Sequence, residues 1–369
     1  MIERLAEFVA ELDCSRPMIV TDKGIRSAGH LDRVLSILDA AGLKVIVFDE
    51  VKENPTNACM AACKAVAEEH YIDLLIGLGG GSSMDTAKGC NFLLNNGGQM
   101  NDYHGYGKAK EPFLPFVAIP TTSGTGSECQ SYALVSDDAT HVKMACGDFK
   151  ALAKVALLDP DLTRSMPLRV AQLTGLDALA HALETAVCLS RNPVSNIHSM
   201  ESFRLIASAI ESVVDGSADD ESRASMQLGA ALAGLAIENS MLGATHATAN
   251  PLTARFDVTH GHAVALTLPH VVRFNRVDSE INEIYEKYEA LVPWNSKEER
   301  KMESWLGRII AKAGLPNLAD LGVKGSDVES LSEAAEQQWT GRFNPRPVSK
   351  KEFEEIYQSA LGVVGAGVL

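Results

Sequence analysis

The stretch DLLIGLGGGSSMDTAK, residues 73–88, decides how the first half of this chain folds. Its first six residues, DLLIGL, read as a strand that is apolar after Asp73, and a helical pattern opens from Met84. Between them lie Gly79, Gly80, Gly81, Ser82 and Ser83. Successive glycines cost conformational entropy, which a bare turn explains poorly. They do let a backbone approach a pyrophosphate, and the free N–H groups of a helix start meet that anion with favourable dipole sign. The spacing is not G-x-G-x-x-G, and no Gly-Lys-Ser/Thr follows as in a P-loop. The stretch reads as a strand, a phosphate-binding turn and a helix.

Working outward, the same alternation recurs. MIVTD (18–22) is a buried-strand pattern, followed by a helix with Leu31, Val34, Leu35 and Leu38 at helical spacing. Gly42 sits where a helix C-cap belongs, and KVIVF (44–48) reads as the next strand. A helix is expected from about 56 to 70, and strands at FVAIP (116–120) and KVALLD (154–159). Two short polar-alternating runs between about 130 and 150 suggest a small antiparallel insertion. Strands alternating with helices imply a largely parallel sheet covered on both faces. After DPDLTRSMP (159–167) strand signals vanish and Ala/Leu-rich helical patterns take over, as at Phe203, Ile206, Ala207, Ile210 and Val213. The expected organisation is an α/β domain over 1–165 and an all-helical domain over 166–369. Ligands of such proteins sit at the C-terminal ends of the strands, facing a cleft.

The totals exclude several classes. A chain of 369 residues exceeds one small core. It is 46% hydrophobic and 22% charged, has mean hydropathy near zero, and holds no uninterrupted apolar run of about 18 residues, so no membrane span is expected. A net charge of −15 argues against nucleic acid and anionic membranes as partners. The opening MIERLAEFVAELDCSRP carries four acidic residues and no cleavage-like pattern, unlike a secretory signal. Seven cysteines without paired spacing fit a reducing cytoplasm. Cys59 and Cys63 share a helix face and read as buried packing, as does Cys129.

Chemistry concentrates in the second half. GLDALAHALE (175–184) places Asp177 and His181 at i and i+4 on one helix face. THATANPL (245–252) and THGHAVALTLPH (259–270) add His246 and His260 from an apolar helical region. One carboxylate and three imidazoles suit Fe²⁺, or Zn²⁺ as the alternative, although an i, i+4 pair alone also occurs as a helix-surface pair. In the first half, PTTSGTGSE (120–128) is a second polar turn after a strand end, suited to the same nucleotide from its other side. Asp22 ends the first strand. It reads equally as a carboxylate for the ribose hydroxyls of NAD or as the charge at a helix N-terminus.

GGGSSMDTAK, PTTSGTGSE, GLDALAHALE and HGHAVALTLPHVVRFN, in that order and separation, resemble the iron-containing (group III) alcohol dehydrogenases over nearly the whole chain. The resemblance implies a dehydroquinate-synthase-like architecture: a parallel-sheet nucleotide domain, a helical domain, and a divalent metal in the cleft. It implies metal ligands at Asp177, His181, His246 and His260. It implies NAD contacts at Asp22, Asn54 of the ENPT turn, Gly79, Gly80, Gly81, Ser82, Ser83, Asp85, Thr121, Thr122, Thr125 and Lys143. The implied activity is hydride transfer between NAD(H) and a small primary alcohol or its aldehyde, with the metal polarising the substrate oxygen, in a homodimer.

Two features depart from the family. The family begins with a Phe- and Gly-rich β-hairpin ahead of the first helix, whereas this chain starts at that helix. The family also has a second histidine four residues after the first metal histidine, where this chain has Asn250. Asn250 is expected to border the chemistry as an untitratable amide, or to cap a helix kink before Pro251. His262 is then a proton relay or a helix partner. His270, and GRFNPRP (341–347), read as structural, and His104, His141 and His198 as surface or satisfied core residues. Two alternatives stay open. One is a sugar-phosphate cyclase resembling dehydroquinate synthase, which needs several Lys and Arg around a phosphorylated substrate; near the metal candidates Arg255 is the chief cation. The other is a non-catalytic nucleotide-binding relative.

Overall fold

The computed structural model describes residues 1–138, 143–294 and 300–362. The chain forms two compact units, Met1–Met166 and Pro167–Leu369. His141 lies outside the described residues.

The first unit contains strands β1 (Pro17–Val20), β2 (Ile46–Phe48), β3 (Leu74–Gly79), β4 (Gly105–Tyr106), β5 (Phe116–Pro120), β6 (Tyr132–Ser136), β7 (Lys143–Gly147) and β8 (Val155–Ala156). Its helices are α1 (Leu5–Glu11), α2 (Lys23–Ser27), α3 (His30–Ala40), α4 (Asn57–Glu69) and α5 (Gly81–Asn96). The main sheet has the order β2-β1-β3-β5-β8, and every pairing in it is parallel. Alternation along β3 splits the core: Leu74, Ile76 and Leu78 join Leu5, Leu31 and Val34 on one face. Leu75 joins Cys63, Met84 and Ala87 on the other. Both faces are therefore helix-covered, which is why the strands read as continuous apolar runs. The chain leaves α3 through Gly42 at φ 77°, with Leu43 N–H donating to the Leu38 carbonyl at 3.0 Å, so glycine sits where the helix stop requires it.

Some boundaries differ from the sequence pattern. Helix α5 starts at Gly81 rather than Met84, because the glycines and serines themselves form the first turn. The last strand shrinks from KVALLD to Val155–Ala156, since Asp159 caps a short 3₁₀ turn by accepting from Asp161 N–H at 3.1 Å. The small sheet near 130–150 pairs β6 with β7 antiparallel, and adds β4 in parallel to β7.

The second unit holds α6 (Leu168–Val187), α7 (Pro193–Asp215), α8 (Asp220–Glu238), α9 (Ala244–Phe256), α10 (His260–Asn275), α11 (Ser279–Glu289), α12 (Met302–Lys312), α13 (Val328–Glu336) and α14 (Lys350–Ala360). Among the described residues it has no strand. Helix α6 is buried almost all round from Gly175 to Val187, so it is the central helix, packed by Leu176, Leu179 and Leu183. Helix α9 continues through Pro251 to Phe256 without ending at that proline. Among the described residues no helix is long and apolar enough to cross a membrane.

Candidate functional site

The central helix α6 carries Asp177, His181 and Glu184 in its buried interior. Ionisable side chains are seldom this buried unless something pairs with them. Spacing of i, i+4 and i+7 puts all three on one face. Helix α9 brings His246 against that face, and α10 begins at His260.

The donor atoms converge. His181 Nε2 and His246 Nε2 lie 3.1 Å apart, and each is 3.5 Å from Asp177 Oδ1. His260 Nε2 is 3.8 Å from the same oxygen and is more exposed than the other three. Asp177 Oδ1 is buried and has no hydrogen-bond partner. Two imidazole lone pairs and a carboxylate oxygen this close repel unless a proton or a cation lies among them. Ligands about 2.1 Å from a shared tetrahedral ion lie about 3.4 Å from one another, which is the spacing seen here. The donor set thus fits a divalent transition metal. Burial pushes the Asp177 carboxyl up, yet the surrounding imidazoles, His181 foremost, outweigh it and hold the group well below the usual carboxylate range. Burial likewise works against charge on His246, but Glu184 and Asp177 prevail and raise it to about 9.

Glu184 escapes the sequence reading although it closes the quoted motif. Its Oε2 accepts from His246 Nδ1 at 2.5 Å, and its Oε1 accepts from the N–H groups of Gly243 (3.2 Å) and Thr245 (2.7 Å). One carboxylate therefore caps the start of α9 and keeps the His246 proton on Nδ1, leaving the Nε2 lone pair for a cation. The i+7 spacing from Asp177 was the available signal. Asn344 of GRFNPRP reinforces the cap by accepting from Ala244 N–H at 3.3 Å, while its amide donates to Asn275 Oδ1 at 2.8 Å.

At the N-terminus of α10, a Cβ on Gly261 would meet the Leu173 carbonyl oxygen at 2.3 Å. Only glycine lets α10 approach α6 closely enough to bring His260 toward Asp177. Asn250, on α9, is half-buried and donates from Nδ2 to Gln338 Oε1 at 2.9 Å. His262 donates from Nε2 to the Pro316 carbonyl at 2.8 Å, a helix-partner contact, and burial lowers its basicity. His270 Nδ1 meets Ser359 Oγ at 2.7 Å. Arg255 pairs with Asp327 at 2.8 Å. His104 is exposed and His198 half-buried.

In the first unit the glycine turn has no side-chain cap, since Gly80 is the N-cap of α5. A Cβ on Gly79, at φ 147°, would lie 2.4 Å from Ser83 Oγ, a buried hydroxyl without a hydrogen-bond partner. A Cβ on Gly81 would lie 2.9 Å from Thr125 Cγ2, and one on Gly80 3.3 Å from Thr122 Cγ2. The two polar turns therefore face each other with no room for side chains on the glycines, an arrangement that suits a pyrophosphate. Thr121 N–H donates to the Gly79 carbonyl at 2.9 Å and ties the turns together. Asp22 caps α2, accepting from Ile25 N–H at 3.0 Å, so one of its oxygens serves the helix-terminus reading. Asn54 is exposed at φ 49° before Pro55. Lys143 opens β7 and is exposed. Asp85 is buried and accepts from Ser127 Oγ at 3.0 Å. The sequence reading also passed over Lys88, which is buried beside it.

An α/β unit with an uncapped glycine turn and a helical unit with a buried carboxylate–imidazole centre fit a metal-dependent, nucleotide-linked enzyme. Comparison with known proteins names the family. Residues 1–160 match the model described as iron-containing alcohol dehydrogenase, and residues 171–361 match that of the Fe-containing alcohol dehydrogenase family, C-terminal. Alcohol dehydrogenase 4 of Schizosaccharomyces pombe is 32% identical, covering 97% of this chain and 86% of its own. The NAD-dependent methanol dehydrogenase of Bacillus methanolicus is 31% identical, covering 98% and 96%. A crystal structure of 1,3-propanediol oxidoreductase superposes with a TM-score of 0.92 at 32% identity, covering 97% of this chain and 95% of that one. The chain belongs to the iron-containing alcohol dehydrogenase family. It is an enzyme of that family's kind, an NAD(H)-linked alcohol–aldehyde oxidoreductase with a divalent metal, and membership decides against the cyclase alternative.

Proposed function

We propose that this chain interconverts a small primary alcohol and its aldehyde, with Asp177, His181, His246 and His260 holding iron, or zinc in its place. The observation that supports this most is the convergence of Asp177 Oδ1, His181 Nε2 and His246 Nε2 within 4.8 Å of one another in a buried setting. A bound cation would supply Lewis acidity toward the substrate oxygen, and NAD(H) the hydride-exchanging ring. The chain's own side chains do the rest. Glu184 keeps the His246 proton on Nδ1, and Gly261 lets α10 carry His260 toward Asp177. The turns at 79–83 and 121–125 receive the pyrophosphate, with Ser83 Oγ an available donor. The second Asp22 oxygen serves the ribose hydroxyls, and Asn54, Asp85 and Lys143 complete the nucleotide site. Asn250 offers a fixed amide where a titrating group would otherwise stand, so the alcohol proton leaves by another route.

The test is elemental analysis of the purified protein together with NAD⁺ reduction over a panel of primary alcohols, with and without added Fe²⁺ or Zn²⁺. Wild type should carry close to one metal per chain and turn over. His260→Ala should lose metal and activity together. An unchanged metal content in that variant, or no turnover by metal-loaded wild type, overturns the reading. The free cysteines support a reducing cytoplasm as its setting. A homodimer is expected, and sedimentation at equilibrium checks it.

A further inference from the structure

Beneath the two turns of the first unit lies a buried charged group that the proposed chemistry does not use. Lys88 is 1% exposed, seven residues into α5 from Gly81. Its ammonium donates to the Ser127 carbonyl at 2.6 Å, to Ser127 Oγ at 2.9 Å and to the Tyr132 carbonyl at 3.0 Å. Ser127 Oγ in turn donates to Asp85 Oδ1 at 3.0 Å. Asp85 and Lys88 both belong to the helix that starts at the glycine turn, whereas Ser127 belongs to the turn that carries Thr122 and Thr125. The serine hydroxyl is thus held by two side chains, one turn of helix apart, reaching across from the facing element. Burying an ammonium is costly unless every N–H finds an oxygen, and here the oxygens are those of the opposite segment. Glu128 is buried next to Ser127, and burial pushes its carboxyl up to about 7, with Lys88 pulling the other way.

We propose that Lys88, acting through Ser127 together with Asp85, is a positioning residue for NAD(H): it fixes the Thr121–Thr125 turn against the glycine turn and so sets the affinity for the pyrophosphate. This rests on the nucleotide reading given above. The contacts between the two turns support it. Thr125 Cγ2 stands 2.9 Å from where a Gly81 Cβ would be, so a displacement of a few tenths of an ångström in the second turn changes the width of the space that the phosphates must enter. Asp85 contributes to this arrangement by holding the Ser127 hydroxyl.

Ser127→Ala removes the bridging hydroxyl without altering any charge, and Ser127→Thr restores it. NADH affinity, followed by its fluorescence on the metal-loaded protein, should weaken about tenfold or more in Ser127→Ala and return to near the wild-type value in Ser127→Thr. The loss should fall mainly in KM for NAD⁺ rather than in kcat, and metal content should stay at the wild-type level. Lys88→Met should weaken NADH further. If that variant does not fold, the serine pair decides alone. Wild-type NADH affinity in Ser127→Ala, or equal losses in Ser127→Ala and Ser127→Thr, overturns the proposal. Failure of wild type itself to take up NADH overturns the nucleotide reading beneath it and is seen before any variant is made.

Discussion

Replacing Glu184 with Gln tests the metal centre through a residue that touches no metal. Both carboxylate oxygens are in use: Oε1 accepts from Gly243 and Thr245 N–H groups, and Oε2 from His246 Nδ1. A glutamine has one accepting oxygen, and its amide nitrogen only donates. If the oxygen stays on the α9 amides, the NH₂ group faces His246 Nδ1 and drives the imidazole to the tautomer with its proton on Nε2. That nitrogen is the one that points at Asp177 and His181, and a protonated Nε2 cannot bind a cation. If the oxygen turns to His246 instead, the amides at the start of the buried α9 lose their acceptor. A hydrogen bond to a charged group contributes about 1.5–3 kcal/mol. The expected loss of metal affinity is therefore about 10- to 150-fold. Competition against a chelator of known affinity, at fixed pH, measures it, with circular dichroism checking that α9 remains. Metal affinity in folded Glu184→Gln equal to wild type would refute the assignment of Glu184 as the partner that sets the His246 tautomer.

Three further expectations follow from the geometry. Gly261→Ala places a methyl against the Leu173 backbone, which no rotamer change relieves, so it should destabilise the second unit by about 1–3 kcal/mol or more and lower metal content; thermal unfolding and elemental analysis check both. His270 is pushed down to about 4, by burial first and then by Arg273, so its folded form resists a proton that the unfolded chain accepts near 6.5. That contribution is present above about pH 6.5 and lost as pH falls toward 4, amounting to about 3 kcal/mol, and His270→Gln should flatten the fall of Tm with acidification relative to wild type. Asn250→His puts an imidazole one helical turn from His246 and should add an ionisation near neutrality to the pH dependence of kcat/KM while leaving metal content intact; a profile superimposable on wild type removes Asn250 from the chemistry.

How much of this was legible in the sequence depended on whether a residue's neighbours lie along the chain or across it. The strands β1, β3 and β5 could be read because a sheet covered on both faces demands unbroken apolar runs, and Met18–Val20, Leu74–Leu78 and Phe116–Ile119 supply them. The two residues of β4 could not, because Gly105 and Tyr106 are exposed and their pairing with β7 is a tertiary event. Asp177 and His181 share a helix face by spacing, a weak signal alone that His246 and His260 in a later apolar region strengthen. Glu184 stood in the same motif, but a glutamate on a helix ordinarily reads as a solvent-facing charge, and only its burial at 4% exposure separates it from that class. Pro251 is ambiguous in sequence for the complementary reason. Local sterics disfavour helix before a proline, yet α9 is held by packing and by Tyr357 donating to the Thr248 carbonyl at 2.7 Å, so the helix persists. Asp22 carries two readings in the sequence, and the cap on α2 occupies one of its oxygens.

Lys88 and Glu184 use the same physics with opposite charge. Each is a fully ionisable group in the interior of its unit, and each spends its hydrogen bonds on backbone from a segment that must be held still: Ser127 and Tyr132 carbonyls for the lysine, Gly243 and Thr245 amides for the glutamate. An apolar side chain of similar volume would cost less to bury, and replacing buried ion pairs by hydrophobic groups is often neutral or stabilising. Stability alone therefore does not account for them. What an apolar residue lacks is direction. A methylene surface tolerates a turn sliding across it, whereas a carboxylate bonded to two amides and an imidazole fixes the position of all three. At both places the held segment carries groups to which the proposed function assigns a ligand, Thr122 and Thr125 in one unit and His246 in the other. The corollary joins geometry to stability: Glu184→Leu strips the acceptor from two buried amides and an imidazole, so, if it folds, its Tm should fall and its metal affinity should drop at least as severely as in Glu184→Gln. A leucine variant that binds metal normally would show that packing, not the carboxylate, orients His246.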